Sequence, residues 1–471
     1  MLRVTLLVAL FPFMLFRVES KFQFQKPGLG QSALAASRAE VVKHKFQQAY
    51  ADYIRWGFPA DEVAPLSKNG SNTRNGWGAT LVDSLDTLFM MGLHDEFEHG
   101  LTQTAKIDFS RSYVNETVSV FETTIRYLGG ILTAYELSGF TRKDLLDRAY
   151  QLGNKLAYAW SHPIQQIPYG RLNFTTNTPT IDTNSVAGAG TLILEFDRLS
   201  HYTGNDTFRA LADKSMKAIM TFPDEFPGLP SLEIYPGNAS VAGDYITWGG
   251  GIELGNQSLF VLPSTTCRLT VTHSYFEYLL KYAMLTNNRD PRYLEACFVG
   301  GNWLLGGKLI GDETVVNYGI QLIDTCMHTY TSTETGLGPE ILHFLGPKGE
   351  VTGPNMTAEI LPAYRFRFLV CRPEVIESVF YAWRMTGKER YQEFAWSAFQ
   401  ALNKYCKASA SYAAIMNVND ARNVTQINRS ESFFYAETFK YLYLIFAPAY
   451  HFSLDEYVFN TEAHPYRYTY G

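Results

Sequence analysis

Three glutamates stand where a carboxyl group could do acid–base chemistry. Glu122 lies in SVFETTIRYLGG, flanked by Val120, Phe121 and Ile125. Apolar surroundings raise a carboxyl pKa, which suits a general acid. Glu340 in GLGPEI and Glu374 in CRPEVIES each follow a proline that can open a helix. A carboxylate there faces the positive end of the helix dipole and stays ionised, as a base or a water-holder should. The C-terminal FNTEAHPYRYTYG supplies a different chemistry: Thr461 and Glu462 after a short strand-like stretch, Glu456 to Phe459. A threonine offers its hydroxyl and its carbonyl to a hard cation, and nearby carboxylates can hold that cation's waters. Taken singly, each glutamate reads as well as plain helix-end charge, so the elements that carry them must decide.

Those elements read as helix after helix. Ala33 to Trp56, Val118 to Leu137, Lys143 to Trp160, Phe208 to Met220, Pro373 to Met385, Tyr391 to Tyr405 and Glu431 to Phe446 space their apolar residues three and four apart. In VTHSYFEYLL, Ser274 reads as an N-cap, with His273 just outside the helix. A weak repeat stops a helix at Gly139, Gly204, Gly387 and around Asn287, residues that accept the left-handed conformation. The next helix begins a few residues later, so each pair folds back as an αα-hairpin. Stacked hairpins close into a ring or run on as a solenoid. One long helical region without capping repeats favours closure, an α/α barrel with a single mouth, over a linear helical solenoid used for binding.

Composition narrows the function. The chain has 471 residues, 46% of them apolar, enough for a sizeable core. Aromatics make up 15%, which suits stacking on pyranose rings as well as core packing. The net charge of −6, without a basic run, argues against nucleic acid. At the N-terminus, Arg3 followed by the apolar Val4 to Phe16 and then Val18-Glu19-Ser20 reads as a signal peptide over residues 1–20, with an uncleaved anchor as the weaker alternative. Asn-X-Ser/Thr sequons at Asn69, Asn115, Asn173, Asn205, Asn238, Asn256, Asn355, Asn423 and Asn428 agree with passage through the secretory pathway. Of the five cysteines, Cys267, Cys297, Cys326, Cys371 and Cys406, at least one must stay unpaired.

The stretches NGWGATLVDSLDTLFMMGL, VFETTIRYLGGILTAY, GTLILEFDRLSHYTGN, SYFEYLLKY, CFVGGNWLLGGKL, TCMHTYTSTETGLGPEI, RPEVIESVFYAWRMTGK, SFFYAETFKYLYLIF and FNTEAHP together resemble the class I α-1,2-mannosidases, glycoside hydrolase family 47, and most the short secretory fungal members. The resemblance runs from about Ala33 to the C-terminus and implies one domain over residues 33–471. It implies an all-α (α/α)7 barrel with a small C-terminal β-hairpin plug. It also implies Ca²⁺-dependent, inverting hydrolysis of terminal α-1,2-linked mannose from oligomannose N-glycans by a monomer of the secretory pathway. Carried over by motif, Glu122 matches the general acid, Glu374 the base and Glu340 a further active-site carboxylate. Thr461 matches the direct protein ligand of Ca²⁺. Glu437 and Glu462 match carboxylates around sugar and metal, and Arg126, Glu377 and Phe433 match positions lining the site. Cys297 and Cys326 match the family's disulfide.

The chain departs from this pattern in one sector. The residue before SYFEYL is an active-site aspartate in the family, and here it is His273. Ile252 to Thr272 matches nothing in the family, and YLEACFVGG joins two motifs that normally lie some tens of residues apart. We read residues 252–273 as an atypical insertion, the translation of a non-coding segment, and the 296/297 junction as a deletion that removes a helix. An imidazole, mostly neutral at pH 7, does not replace an ionised carboxylate. The resemblance therefore implies impaired activity. The alternative it leaves open is a catalytically weak, lectin-like mannose-binding protein of the same fold.

Overall fold

The computed structural model describes residues 22–114, 116–161, 165–222, 233–242, 245–248, 252–255, 273–290, 292, 303–339 and 373–468. The expected signal peptide, Glu340, Cys267, Cys297 and Cys371 lie outside them.

Among the described residues, helices pair as inner and outer members of a closed ring. The inner segments are Ala79–Asp83 with Leu85–Met90, Val120–Glu122 running on to Gly129–Leu137, Val186–Gly190 with Ile193–Thr203, His273–Leu285, Trp303–Ile310, Pro373–Thr386, and Phe439–Phe446 with the turn before it. Most are buried on nearly every face; Trp303–Ile310 is only partly so. Six of the seven have an outer partner: His94–Thr104, Lys143–Ala157, Thr207–Met220, Glu313–Thr331, Arg390–Tyr405 and, from the start of the chain, Ala33–Trp56, which packs on Phe439–Phe446. This is the (α/α)7 barrel, and N- and C-terminal helices close it. The inner helix His273–Leu285 has no outer partner among the described residues.

The helices form where apolar spacing places them. Ala33–Trp56 buries a single stripe, Ala35, Ala39, Val42, Phe46, Ala49, Tyr50 and Tyr53, and Ser32 caps it by accepting from the Ala35 amide at 3.1 Å. Gly139, Gly204, Gly387 and Asn287 all have positive φ, so the hairpin turns fall where they were expected. Two sequence expectations fail locally. Val118 and Ser119 form a short strand, and the helix starts only at Val120. Ser274 is not the cap of its helix, because His273 is already helical. Ser274 is buried in the first turn instead, its hydroxyl 3.4 Å from that of Thr461.

Small antiparallel sheets, which apolar periodicity did not reveal, lie before several inner helices. Val118–Ser119 pairs with Arg171–Asn173, and Asn184–Ser185 with Glu233–Tyr235. Each strand runs straight into an inner helix, so it fixes where that helix begins. At the other end of the barrel the hairpin Tyr457–Phe459/Pro465–Arg467 enters. The Phe459 ring lies 5.8 Å from that of Phe380 and 6.0 Å from that of Tyr441, on two inner helices. Its tip, Asn460 to His464, reaches up among their first turns. Gly129 and Gly130 make room for it, since a Cβ at Gly129 would lie 2.9 Å from both Asn460 and His464.

Candidate active site

The inner helices present their N-terminal ends together, and the hairpin tip meets them from below. The tip is held by its own side chains. Asn460 Oδ1 accepts the amides of Glu462 (2.9 Å) and His464 (2.7 Å), while its Nδ2 donates to Ile125 O (3.0 Å) and Glu195 (2.8 Å). The fully buried His464 contacts Asp86 at 3.0 Å, and Lys440 donates to Asp86 (2.9 Å) and to Ala463 O (2.7 Å). Burial works against the imidazolium, but Asp86 and Asp83 outweigh it and push the His464 pKa up to about 9.

This tip carries Thr461 and Glu462 to the carboxylates of the helix starts. Glu122 begins its helix under the Ser119 cap, whose hydroxyl accepts the Glu122 amide at 3.3 Å. A π-helical turn, Thr123–Leu128, follows and places Arg126 beside it. Arg126 Nε donates to Glu122 Oε2 at 2.7 Å, and its Nη1 donates to Ser432 Oγ at 3.3 Å and to Glu462. The expectation of an apolar setting for Glu122 is therefore wrong. Val120 is turned into the core, while the carboxylate lies between Arg126 and Arg74, whose Nη1 is 3.6 Å away. Glu462, expected around sugar and metal, is also an ion-pair partner of Arg126. Burial, with Asp83 and Glu122 adding to it against Arg126, pushes its pKa up to about 8.

Glu374 opens its helix behind Pro373, as the sequence suggested. One turn on, Glu377 is 3.4 Å from the buried Lys281, which also pairs with Glu277. Glu437 sits in a second π-helical turn, Phe434–Thr438, just after the buried Phe433. Burial and the charges of Glu462, Glu374 and Glu377 hold its carboxyl well above the usual range, with Arg126 opposing them. Glu122, Arg126, Glu437 and Glu462 are thus brought to one centre, with Glu374 and Glu377 facing it. Thr461 joins them at the tip, its amide 3.5 Å from the Tyr278 hydroxyl. Glu340 lies outside the described residues, and so does the side chain of His273, though its backbone opens the helix against the tip.

A cation fits this centre. Carboxylates crowd Glu437 with Arg126 opposing them, and the hairpin tip beside Glu462 carries Thr461, its hydroxyl 3.4 Å from that of Ser274. Among the described residues no three His, Cys, Asp or Glu side chains converge to chelate a metal directly. Such a site would use Thr461 and water, with the carboxylates holding the water.

The expected Cys297–Cys326 pairing falls partly outside the described residues. Cys326, on Glu313–Thr331, is a free thiol whose pKa burial raises, and Cys297 lies outside the described residues.

The profile of Glycosyl hydrolase family 47 matches residues 45–296 and 294–468. The chain belongs to this family. The first match spans residues 252–273, and the two matches meet at 294–296, where the junction of two motifs was noted. A probable mannosyl-oligosaccharide alpha-1,2-mannosidase 1B of Aspergillus flavus is 34% identical over 492 positions, covering 95% of each chain. Since this chain has only 471 residues, at least 21 of those positions are gaps on its side. The corresponding protein of Aspergillus niger is 34% identical over 92% of this chain and 91% of its own. An alpha-1,2-mannosidase from Trichoderma reesei superposes with a TM-score of 0.81 at 28% identity, over 94% of this chain and all of the other.

Sequence reasoning missed Glu62, Arg74 and Glu431, which surround Glu122 from other elements. Glu62 is fully buried on Glu62–Ala64, and burial and the Glu431 charge push its carboxyl up to about 8. The one sequence signal for Arg74 was its place in RNGWG, a turn with Gly76 and Gly78 at positive φ.

Proposed function

We propose that this α-1,2-mannosidase releases terminal α-1,2-linked mannose from oligomannose N-glycans with inversion, in a Ca²⁺-dependent reaction, in the lumen of the secretory pathway or outside the cell. The observation that carries the reading is the cluster of carboxylates around Arg126 and Glu437 at the starts of the inner helices, beside the hairpin tip that carries Thr461, in a chain of this family. Glu122 serves as the acid and Glu374 as the base, on different inner helices, as an inverting hydrolase needs for an acid on one side of the bond and a base with room for water on the other. Glu340 is assigned as a further carboxylate by motif alone. Arg126 orients Glu122, Glu377 and Phe433 line the sugar, and Glu437 with Glu462 binds hydroxyls or water. Bound Ca²⁺ would supply a grip on sugar hydroxyls at Thr461. The fungal relatives named for this activity support the substrate class. No observation favours the lectin-like alternative.

Incubation with an oligomannose N-glycan tests the reading, with the released anomer followed by NMR before and after chelation. β-Mannose as the first product, lost on chelation and restored by Ca²⁺, is expected. Release of α-mannose, or glycan binding with no release under any metal, would overturn it.

A further inference from the structure

We propose that Arg74 is a positioning residue for Glu122, itself held in place by the buried Glu431. The proposal rests on the reading of Glu122 as the acid. Arg126 grips Glu122 at Oε2, from one turn further along the same helix. The other oxygen, Oε1, faces Arg74 Nη1 at 3.6 Å. Arg74 belongs to a loop rather than to an inner helix, so it fixes Glu122 from an independent direction.

The loop is built to hold it. Asp61, fully buried, accepts the amides of Arg74 (3.0 Å), Gly76 (2.8 Å), Trp77 (3.0 Å) and Ala79 (3.2 Å). Gly76 and Gly78, with φ of 76° and 69°, allow the turn that aims these amides at one carboxylate. The second amine of Arg74, Nη2, lies 3.7 Å from Glu431 Oε2. Glu431 is only 4% exposed and Arg74 20%, so little solvent screens this pair. Arg429 pairs with the other oxygen of Glu431 at 2.5 Å and lies 3.8 Å from Glu62. Glu62 accepts the Ser432 amide at 3.4 Å, and the Ser432 hydroxyl accepts from Arg126. The chain of contacts therefore returns to Glu122. Three glutamates, 62, 122 and 431, alternate with three arginines, 74, 126 and 429. At 3.6 and 3.7 Å the Arg74 contacts are ion pairs rather than hydrogen bonds. They place the carboxyl by charge, and a planar guanidinium reaches two carboxylates at once where a single ammonium does not.

The test compares Arg74→Met, Arg74→Lys and Glu431→Gln with the unaltered protein on an α-1,2-mannobiose substrate across pH. Arg74→Met is expected to lower kcat by about tenfold or more with KM within about twofold, since a displaced catalytic group costs rate before affinity. Loss of the nearby cation should also move the alkaline limb of kcat/KM to higher pH. Arg74→Lys should recover part of both effects, and Glu431→Gln should follow Arg74→Met more weakly. A crystal structure of Arg74→Met reads the placement without turnover, and there the Glu122 carboxyl should leave its position beside Arg126. An unchanged Glu122 rotamer, or unchanged kcat with an unmoved limb, would overturn the proposal. Full turnover by Glu122→Gln would instead sink the reading of Glu122 as the acid, while the crystal structure still decides whether Arg74 places it.

Discussion

The arc of the barrel that holds Glu122, Arg126, Glu437 and the hairpin tip differs from the sector His273–Thr331. In the arc every inner helix has its outer partner, and each charged side chain of the site is met by one from another element. In the sector, among the described residues, His273–Leu285 has no outer partner and only Trp303–Ile310 has one, Glu313–Thr331. That helix leaves Tyr318 and Leu322, one turn apart, 52% and 50% exposed. The family match splits in this sector, and the Aspergillus flavus relative has at least 21 positions that the chain lacks. The comparison teaches that the described groups around Glu122 come from outside the sector. Among the described residues the sector contributes through its first helix, where Ser274 and Tyr278 meet Thr461 and Lys281 pairs with Glu377.

The largest effect should come from restoring that contribution. His273→Asp is expected to raise mannose release by about a hundredfold or more, the low end of what a positioned acid–base group supplies. Turnover assays of the two proteins side by side check this. No gain would show that residue 273 does not limit turnover, and an unaltered chain already as active as an intact relative would erase the contrast.

A smaller effect tests the arc by itself. Glu62 and Glu462, pushed up to about 8, and His464, pushed up to about 9, all hold a proton more tightly folded than unfolded. A raised pKa contributes stability that is complete below the unfolded value and is lost as pH rises through the folded one. For the carboxyls that window runs from about 4.5 to 8, and for the imidazole from about 6.5 to 9. The metal-free protein should therefore melt at least about 5 °C lower at pH 8.5 than at pH 5.5. Calorimetry in chelator reads it, and a melting temperature that rises with pH over this range contradicts the assignment. Added Ca²⁺ should flatten the slope, since binding to the folded state stabilises it by mass action.

The smallest effect belongs to the exposed pair in the sector. Tyr318→Lys with Leu322→Glu should change stability by less than about 0.5 kcal/mol, as surface substitutions do. The same pair placed in a chimera that takes the relative's segment between the two motifs meeting at 296/297 is expected to be destabilising by more than that. Equal effects in both backgrounds would show that no outer helix belongs over this face.

Much of the fold was legible because helices are local. Ala33–Trp56 was read to the residue, and the turns at Gly139, Gly204 and Gly387 came from a conformation that glycine adopts without strain. The small sheets were not legible, since strands of two or three residues carry no periodicity. Of the site, Glu122 could be singled out from its apolar neighbours, Glu374 from its helix start and Thr461 with Glu462 from the strand before them, and Arg126 and Glu437 came from motif resemblance. Their surroundings could not be. Val120 and Phe121 suggested an apolar pocket for Glu122, and the structure supplies arginines instead.

The sequence by itself therefore determined which segments are helical, where they turn back and which residues stand at their starts. Each depends on neighbours within about four positions along the chain. Only the closed barrel decided which charges face each other. Arg74 meets Glu431, Arg126 meets Glu462 and Lys440 meets Asp86 across separations of hundreds of residues. Burial and facing charge set the protonation of a carboxyl, and both come into being only when the ring closes and the hairpin rises into it.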